Sequence, residues 1–345
     1  MRRIYIHQQT NWPDFKWNHE AVLPLLANVR HKQGFLKGYL GALGFEMRNE
    51  TALQTLTLDV LKSSEIEGEI YDSDQVRSSI ARHLGMDVAG LVPADRNVDG
   101  VVEMMLDATQ NYNTPLNSER LFNWHSSLFP TERSGMNKIT VGNWRNNKKG
   151  PMQVVSGAMG KERVHFEAPE ADRLKHEMKL FFKWFNSENN LDSVLKSAIA
   201  HFWFVTIHPF DDGNGRIARA LADMQLTKAD GDPQRFYSMS AQIRLERKFY
   251  YEMLEKVQKG TLDITEWIMW YLNCMHRALN ATDETMHRVL EKTKFWDEHS
   301  QLPINERQRL LINKLFDGFD GKLTSSKWAK IAKCSPDTAL RDITD

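Results

Sequence analysis

The sequence predicts a mainly α-helical protein with a β-hairpin flap set into its middle. Three observations carry that expectation. Apolar residues recur at helical spacing through most of the 345 residues. One glycine-punctuated stretch, 142–169, breaks the pattern with two short β-prone pieces. The run HPFDDGNGRIAR at 208–219 separates two helices with more functional groups than a turn needs.

Taken in order, IYIHQQTNWPDFKWN is rich in aromatics and turn residues and reads as a packed cap. Helical periodicity follows at 20–49, 51–68, 73–84, 97–111 and 117–128. The segment LQTLTLDVLKSSEI is amphipathic and stops at Gly68, the expected C-terminal signal. Near 151–166, MQVVS and RVHFE pair as a hairpin around a glycine-containing loop. Helices resume with ADRLKHEMKLFFKWFNSE and with LDSVLKSAIAHFWFVTIHPF, which runs straight into the 208–219 stretch. Further helices are predicted at 214–229, 240–258 and 263–294. The polar EHSQLPINE, with Pro303, marks a linker, and tail helices follow at 305–316, 324–333 and 336–345. The expected division is a helical cap over 1–95, a central domain over 96–295 that carries the 208–219 run, and a tail module over 303–345.

The tail resembles a helix-turn-helix: SSKWAKIA, a turn at KCS, then SPDTALRDITD. A winged helix needs a wing, and the sequence stops inside the third helix, so a winged-helix-like module reads as incomplete. That helix sets Arg341 against Asp337, Asp342 and Asp345, the wrong sign for phosphates. The tail is therefore expected to pack or dimerise rather than to bind DNA.

Composition narrows the rest. Lysine plus arginine equals aspartate plus glutamate at 45 each, so nothing global favours nucleic acid or an anionic membrane. Cys274 and Cys334 make no disulfide framework. MRRIYIHQQTNW lacks the apolar segment of a signal peptide, and no apolar run is long enough to span a bilayer. The expectation is a soluble cytoplasmic protein.

The 208–219 run is read group by group. A helix delivers His208, and Pro209 ends it. Phe210 anchors the loop in the core. Asp212 is a hard oxygen donor suited to Mg²⁺. Gly213, Asn214 and Gly215 permit left-handed backbone and close approach of main-chain N–H groups. A new helix then begins, and its N-terminus directs free N–H groups and the positive dipole end outward. Arg216 and Arg219 lie three apart near that end, where acids are favoured instead. The placement makes sense if the missing negative charge is a ligand. An anion hole, two guanidinium forks and one carboxylate describe a polyphosphate site. His208 stands at its edge with the chemistry of a general base.

Competing readings are weaker. DDGNG lacks the acidic spacing and closing glutamate of a calcium loop. His201, seven residues before His208, reads as a core or supporting residue rather than a metal partner. Trp12, Trp17, Trp124, Trp144, Trp203 and Trp328 read as packing residues. Lys148 and Lys149 read as a solvated pair beside the flap, and ADGDP at 229–233 as a plain loop.

The pattern HxFx(D/E)GNGRxxR resembles the Fic (Fido) family at all eight fixed positions. The hairpin at 151–166 looks like the family's flap, and SMSAQIRLERKFYYEMLEKVQKG resembles the segment after the family's core. The cap and the helix-turn-helix look like modules that flank such domains. The resemblance implies adenylyl transfer: a target protein's Ser, Thr or Tyr hydroxyl attacks the α-phosphate of ATP, and pyrophosphate leaves. It casts His208 as the base, Asp212 as the Mg²⁺ ligand, and Gly213, Asn214 and Gly215 as the phosphate cradle. Arg216 would neutralise the leaving side and Arg219 would grip the γ-phosphate. Tyr250 and Gln258 would contact the nucleoside, and Val155, Ser156 and Gly157 would be the flap residues near the nucleotide. The flap's strand edge would position the target by β-augmentation. Relatives of this kind often dimerise, so a homodimer is a further expectation.

A second stretch, SSEIEGE at 63–69, fits (S/T)xxxE(G/N) at Ser63, Glu67 and Gly68, and resembles the family's inhibitory helix. Glu67 would pair with Arg219 and take the place of the γ-phosphate, while Ser63 orients the carboxylate from one turn back. The alternative is that the same glutamate orients a water for the reverse reaction, removal of AMP, and the sequence does not separate the two uses. The rivals are that reverse reaction, transfer of another phosphate-containing group, and a non-enzymatic regulatory scaffold working through the tail.

Overall fold

Helices form where apolar spacing predicts them, and capping side chains set several of their starts. The computed structural model describes residues 4–41, 45–86, 91–157, 160–188, 190–299, 301–316, 319 and 321–344. They fall into two units, Met1–Leu279 and Asn280–Asp345.

In the first unit, α1 (His19–Gly41) and α2 (Phe45–Ile66) are followed by α3 (Ser73–His83), α4 (Arg96–Gln110) and α5 (Ser118–Leu128). Helix α1 thus ends at Gly41 and α2 begins at Phe45, where the periodicity suggested a break near residue 50. Asp72, Asp95 and Asn117 accept hydrogen bonds from the first-turn amides of α3, α4 and α5. These caps satisfy donors that a helix start leaves unpaired. Two short strands the sequence did not announce, β1 (Arg133–Ser134) and β2 (Asn137–Lys138), pair antiparallel ahead of the expected hairpin. That hairpin is β3 (Gln153–Ser156) with β4 (Arg163–Glu167). Then come α6 (Leu174–Phe185), α7 (Ser193–Ile207) and α8 (Asn214–Asp230). The helix expected over 240–258 is two, α9 (Met239–Leu245) and α10 (Arg247–Gln258), which meet at Glu246. Helix α11 (Thr265–Glu298) runs on from the first unit into the second.

A single hydrophobic core draws on α2 to α8. Leu53 and Val60 of α2, Val101 and Met105 of α4, Phe181 of α6, Phe204 of α7 and Leu221 of α8 all belong to it. The expected cap over 1–95 therefore shares its core with the expected catalytic domain. Helix α7 is apolar on every side, as a fully buried helix must be. Its neighbours hold it by hydrogen bonds as well: Ser197 Oγ donates to the Ala222 carbonyl at 2.9 Å, and Trp267 Nε1 to the Ala198 carbonyl at 2.8 Å. Gly100 lets α4 lie on α5, since a β-carbon there would collide with the Ser127 carbonyl. The hairpin packs through Phe166 onto Tyr5, and His7 Nε2 bonds the Glu167 carbonyl at 2.8 Å.

In the second unit, α12 (Glu306–Phe316), α13 (Ser325–Ala332) and α14 (Pro336–Thr344) enclose the fully buried Trp328 with Leu311 and Ala339. Arg307 Nε binds Asp342 at 2.8 Å, which accounts for one of the acids expected on the last helix. Among the described residues no strand follows α13 and α14. Asp345, the other terminal acid, lies outside the described residues.

Candidate functional site

The loop between α7 and α8 is shaped by its own residues. His208 ends α7 in the left-handed region (φ 51°), its N–H on the Phe204 carbonyl at 3.0 Å. Asn214 clamps the turn: its Oδ1 accepts from the Phe210 N–H at 3.0 Å, and its Nδ2 donates to the Phe210 carbonyl at 2.9 Å. Gly213 (φ 81°) needs its missing side chain, because a β-carbon would stand 2.9 Å from the Phe129 ring. Phe210 is buried and stacks on His125, with ring centres 4.2 Å apart.

Two residues outside the run hold it from below. Arg145 is buried; its N–H meets the Pro209 carbonyl at 3.0 Å and its Nε the His208 carbonyl at 2.7 Å. His125 accepts from the Gly142 N–H through Nδ1 at 3.3 Å, so Nε2 carries the proton that reaches the Asp212 carbonyl at 3.2 Å. Burial pushes His125 down to about 4 and keeps it neutral. Neither residue carries a sequence signal, since each acts through a tertiary contact alone.

His208 is set up as a proton acceptor. Burial, assisted by the Arg145 guanidinium, pushes its pKa down to about 4. The ring is then neutral across the physiological range. Its Nδ1 faces the Val205 carbonyl at 3.2 Å, which assigns the proton to Nδ1 and leaves Nε2 to accept.

Beyond the loop lies the first turn of α8, where free amides and the dipole favour negative charge. A carboxylate is there. A β-carbon on Gly215 would collide with Glu67 Oε1, and the same oxygen lies 2.8 Å from Arg219 Nη2. Arg219 is buried and also donates to Ser63, from Nε to Oγ and from Nη2 to the carbonyl, each at 2.8 Å. Burial opposes the charge on Arg219, and Glu67 more than restores it, so its pKa is raised. The Tyr251 hydroxyl donates to Glu67 Oε2 at 3.2 Å. Arg216 has a carboxylate of its own. Its Nη1 lies 2.5 Å from Glu69 Oε2, which also accepts from the Tyr71 hydroxyl at 2.7 Å. Both arginines keep one buried nitrogen without a hydrogen-bond acceptor, Nε of Arg216 and Nη1 of Arg219.

The remaining predicted residues have these places. Tyr250 is buried among rings and its hydroxyl meets His201 Nε2 at 2.9 Å. Gln258 is buried against Thr206, at 3.3 Å. Tyr250 also borders Arg219, and Tyr251, its neighbour on α10, reaches the carboxylate over α8. His201 is fully buried and pushed down to about 3 by burial, in keeping with a supporting core residue. On the hairpin, Val155 and Ser156 are exposed, and Gly157 has φ 109°.

A cleft of about 460 Å³ separates the base of the hairpin from the loop, lined by Ser134, Arg145, Met152, Asp211 and Asp212 among others. The Asp211 carboxylate accepts from the Thr140 N–H at 2.9 Å. Asp212 accepts from the Gly213 N–H at 2.5 Å and from the Ser134 hydroxyl. Among the described residues no three His, Cys, Asp or Glu side chains cluster as a metal cage. Carboxylates lining a cleft, Asp212 with Asp211 beside it, fit Mg²⁺ that arrives with phosphates, since that ion keeps most of its oxygen ligands from water and substrate.

Residues 115–226 match the Fic/DOC family, and residues 5–86 match a family described as Domain of unknown function (DUF4172). A protein adenylyltransferase Fic of Drosophila ananassae is 31% identical over 118 residues, 32% of this chain and 22% of its own. The protein adenylyltransferase fic-1 of Caenorhabditis elegans is 26% identical over 223 residues, 63% and 40% of the two chains. The chain thus spans only about a fifth to two fifths of the length of these relatives. A Fic family protein from Desulfovibrio desulfuricans G20 superposes with a TM-score of 0.59 at 21% identity, covering 96% of this chain and 89% of its own. A Fic domain containing signaling protein from Bacteroides thetaiotaomicron gives 0.53 at 19% identity, covering 76% and 96%. At these identities the two structures show a common fold. Among the described residues no helix is long and apolar enough to cross a membrane.

Proposed function

Residues 115–226 of this chain form a Fic/DOC-family domain, and from that premise we propose that the protein is an adenylyltransferase held off by its own N-terminal segment. It moves AMP from ATP to a hydroxyl of a target protein. The observation that carries the reading is the Glu67 carboxylate over Gly215, paired with Arg219 at 2.8 Å. A carboxylate placed there marks the spot as an anion site and at the same time fills it.

The steps follow from the residues. His208 Nε2 takes the proton of the incoming hydroxyl, its pKa of about 4 keeping it unprotonated and ready. The hydroxyl oxygen bonds to the α-phosphorus, and the bond to the pyrophosphate oxygen breaks. The amides of Gly213 to Gly215 and the guanidinium of Arg216 stabilise charge on the phosphates, and Arg219 holds the γ-phosphate. Positioning and fixed charge supply most of the acceleration in such chemistry. Asp212 would hold the Mg²⁺ that accompanies ATP, whose bound charge offsets that of the phosphates. An extended segment of the target pairs with the exposed edge of β3, beside Val155.

Inhibition uses two carboxylates rather than one. Glu67 occupies Arg219, and Glu69 occupies Arg216 at 2.5 Å. Both belong to the region of unknown function over 5–86, which on this reading supplies the inhibitor. The test is transfer of label from ATP carrying it on the α-phosphate. Wild type is expected to label protein weakly, Glu67→Gly strongly and His208→Ala not at all. Equal labelling by all three removes the mechanism, and transfer of γ-label alone makes the protein a phosphotransferase instead.

A further inference from the structure

The segment ahead of α1 forms a strap whose near end lies on the hairpin. Tyr5 and His7 stack with ring centres 6.0 Å apart, and both make edge-to-face contacts with Phe166 of β4, at 5.2 and 5.8 Å. All three side chains are buried. His7 Nε2 donates to the Glu167 carbonyl at 2.8 Å, since a carbonyl can only accept. The far end is fastened to the body of the first unit. Trp12 Nε1 donates to Glu177 of α6 at 2.8 Å. The Lys16 N–H donates to the Leu262 carbonyl at 2.9 Å, and the Lys16 carbonyl accepts from the Ile264 N–H at 2.8 Å.

The hairpin needs such a mount. Two strands of four and five residues are not stable by themselves in water, and require an apolar face packed on something else. Val154 and Phe166 are register partners and so share one face. Among the described residues, the buried apolar cluster on that face is Tyr5, Phe166 and Ala168, with Met152 and Val154 against it. Tyr5 is its one member from outside the hairpin and the residues flanking it. The opposite fixing is polar: on α10, Glu255 binds His165 Nδ1 at 2.5 Å and Arg163 Nη2 at 2.9 Å. The Arg163 side chain is 70% exposed, and an ion pair so open to solvent holds weakly. The strap therefore supplies the apolar part of the mount. It belongs to the same 5–86 region that carries Glu67. One stretch of chain thus blocks the phosphate site and also holds the strand edge beside Val155.

We propose that Tyr5 and His7 are positioning residues for the protein acceptor: they hold the hairpin ready for an extended segment of the target and take no part in binding ATP. An edge ordered in advance binds better because docking does not have to order it. The docking role rests on the adenylyltransferase reading above, while the mounting stands on the contacts alone. Loss of the strap should therefore not mimic loss of Glu67, although both lie in the inhibitory region. Two arms test this. In the first, hydrogen exchange compares wild type with Tyr5→Ala/His7→Ala. Amides of 153–156 and 163–167 should exchange at least tenfold faster, with those of α8 unchanged. In the second, Glu67→Gly protein is given α-labelled ATP, Mg²⁺ and graded amounts of soluble protein from the expression host. Adding Tyr5→Ala/His7→Ala should cut the initial rate at low acceptor concentration at least tenfold, while Kd for ATP by equilibrium dialysis stays within about twofold. His7→Gln, whose side-chain amide can also donate to the Glu167 carbonyl, should restore most of the rate. Unchanged hairpin exchange overturns the mount. Faster exchange with an unchanged transfer rate overturns the docking role, and so does a loss of ATP affinity equal to the loss of rate. No transfer by Glu67→Gly itself overturns the adenylyltransferase reading and the docking role with it, and the first arm still decides the mount.

Discussion

At the scale of single residues, the site is a set of charges whose partners fix their protonation. His208 shows the consequence most simply. Its folded-state pKa of about 4 lies below the ordinary 6.5, so the neutral, proton-accepting form persists as pH falls through 6.5 and is lost only near 4. For Glu67→Gly, kcat/KM for label transfer should therefore stay level between pH 5 and 8 and drop below about 4. Removing Glu67 also removes a carboxylate that raises the histidine, which moves the fall in the same direction. A half-loss of rate near 6.5 would show that His208 is not the base described. The run 208–219 was legible in the sequence because its residues act on one another or on a ligand. Glu67 was legible because its spacing from Ser63 and Gly68 is local too. Arg145, His125, Tyr251 and Glu69 were not. Each earns its role from a partner far off in the chain, and a lone arginine or glutamate in a polar segment carries no such signal. Tyr250 and Tyr251 make the point most sharply: their rings lie 5.0 Å apart, yet one hydroxyl meets His201 and the other the Glu67 carboxylate.

At the scale of elements, the question is how the inhibitory segment lets go. Helix α2 is fastened two turns before Glu67. The buried Asp59 binds Arg235 at 2.7 Å, and Arg235 binds the buried Asp223 of α8 at 2.5 Å. Opening a buried cluster of this kind by removing a partner costs about 3–5 kcal/mol, because a charge is left without compensation. The carboxylate of Glu67 is 30% exposed, and solvent would take up part of its charge when it leaves. The turn after α2 is thus easier to displace than the helix. Hydrogen exchange should find α2 as protected in Glu67→Gly as in wild type, with faster exchange confined to residues 64–71. Loss of protection along the whole of α2 would mean that the helix undocks. The periodicity placed α2 correctly in kind and missed its start at Phe45, since apolar residues recur at helical spacing on both sides of it. It also ran α9 and α10 together, because Glu246 interrupts the chain for one residue without a glycine or proline to mark it.

At the scale of the whole molecule, every group invoked here lies in Met1–Leu279: the loop, both arginines, both carboxylates, the hairpin and α10. The second unit has a core of its own around Trp328. Its last helix offers phosphates little, since Arg307 is already engaged by Asp342 and Asp337 adds a further negative charge. A domain with its own core folds and fails independently of its neighbour to first approximation. Ending the Glu67→Gly chain after Glu298, the last residue of α11, should therefore leave the initial rate of α-label transfer to itself within about twofold, because each tenfold loss would need about 1.4 kcal/mol of transition-state stabilisation that this unit supplies no group to provide. A fall of tenfold or more, in truncated protein whose melting temperature matches that of the full chain, would place part of the catalytic or acceptor machinery in α12 to α14, and would revive the reading in which the tail acts as a regulator.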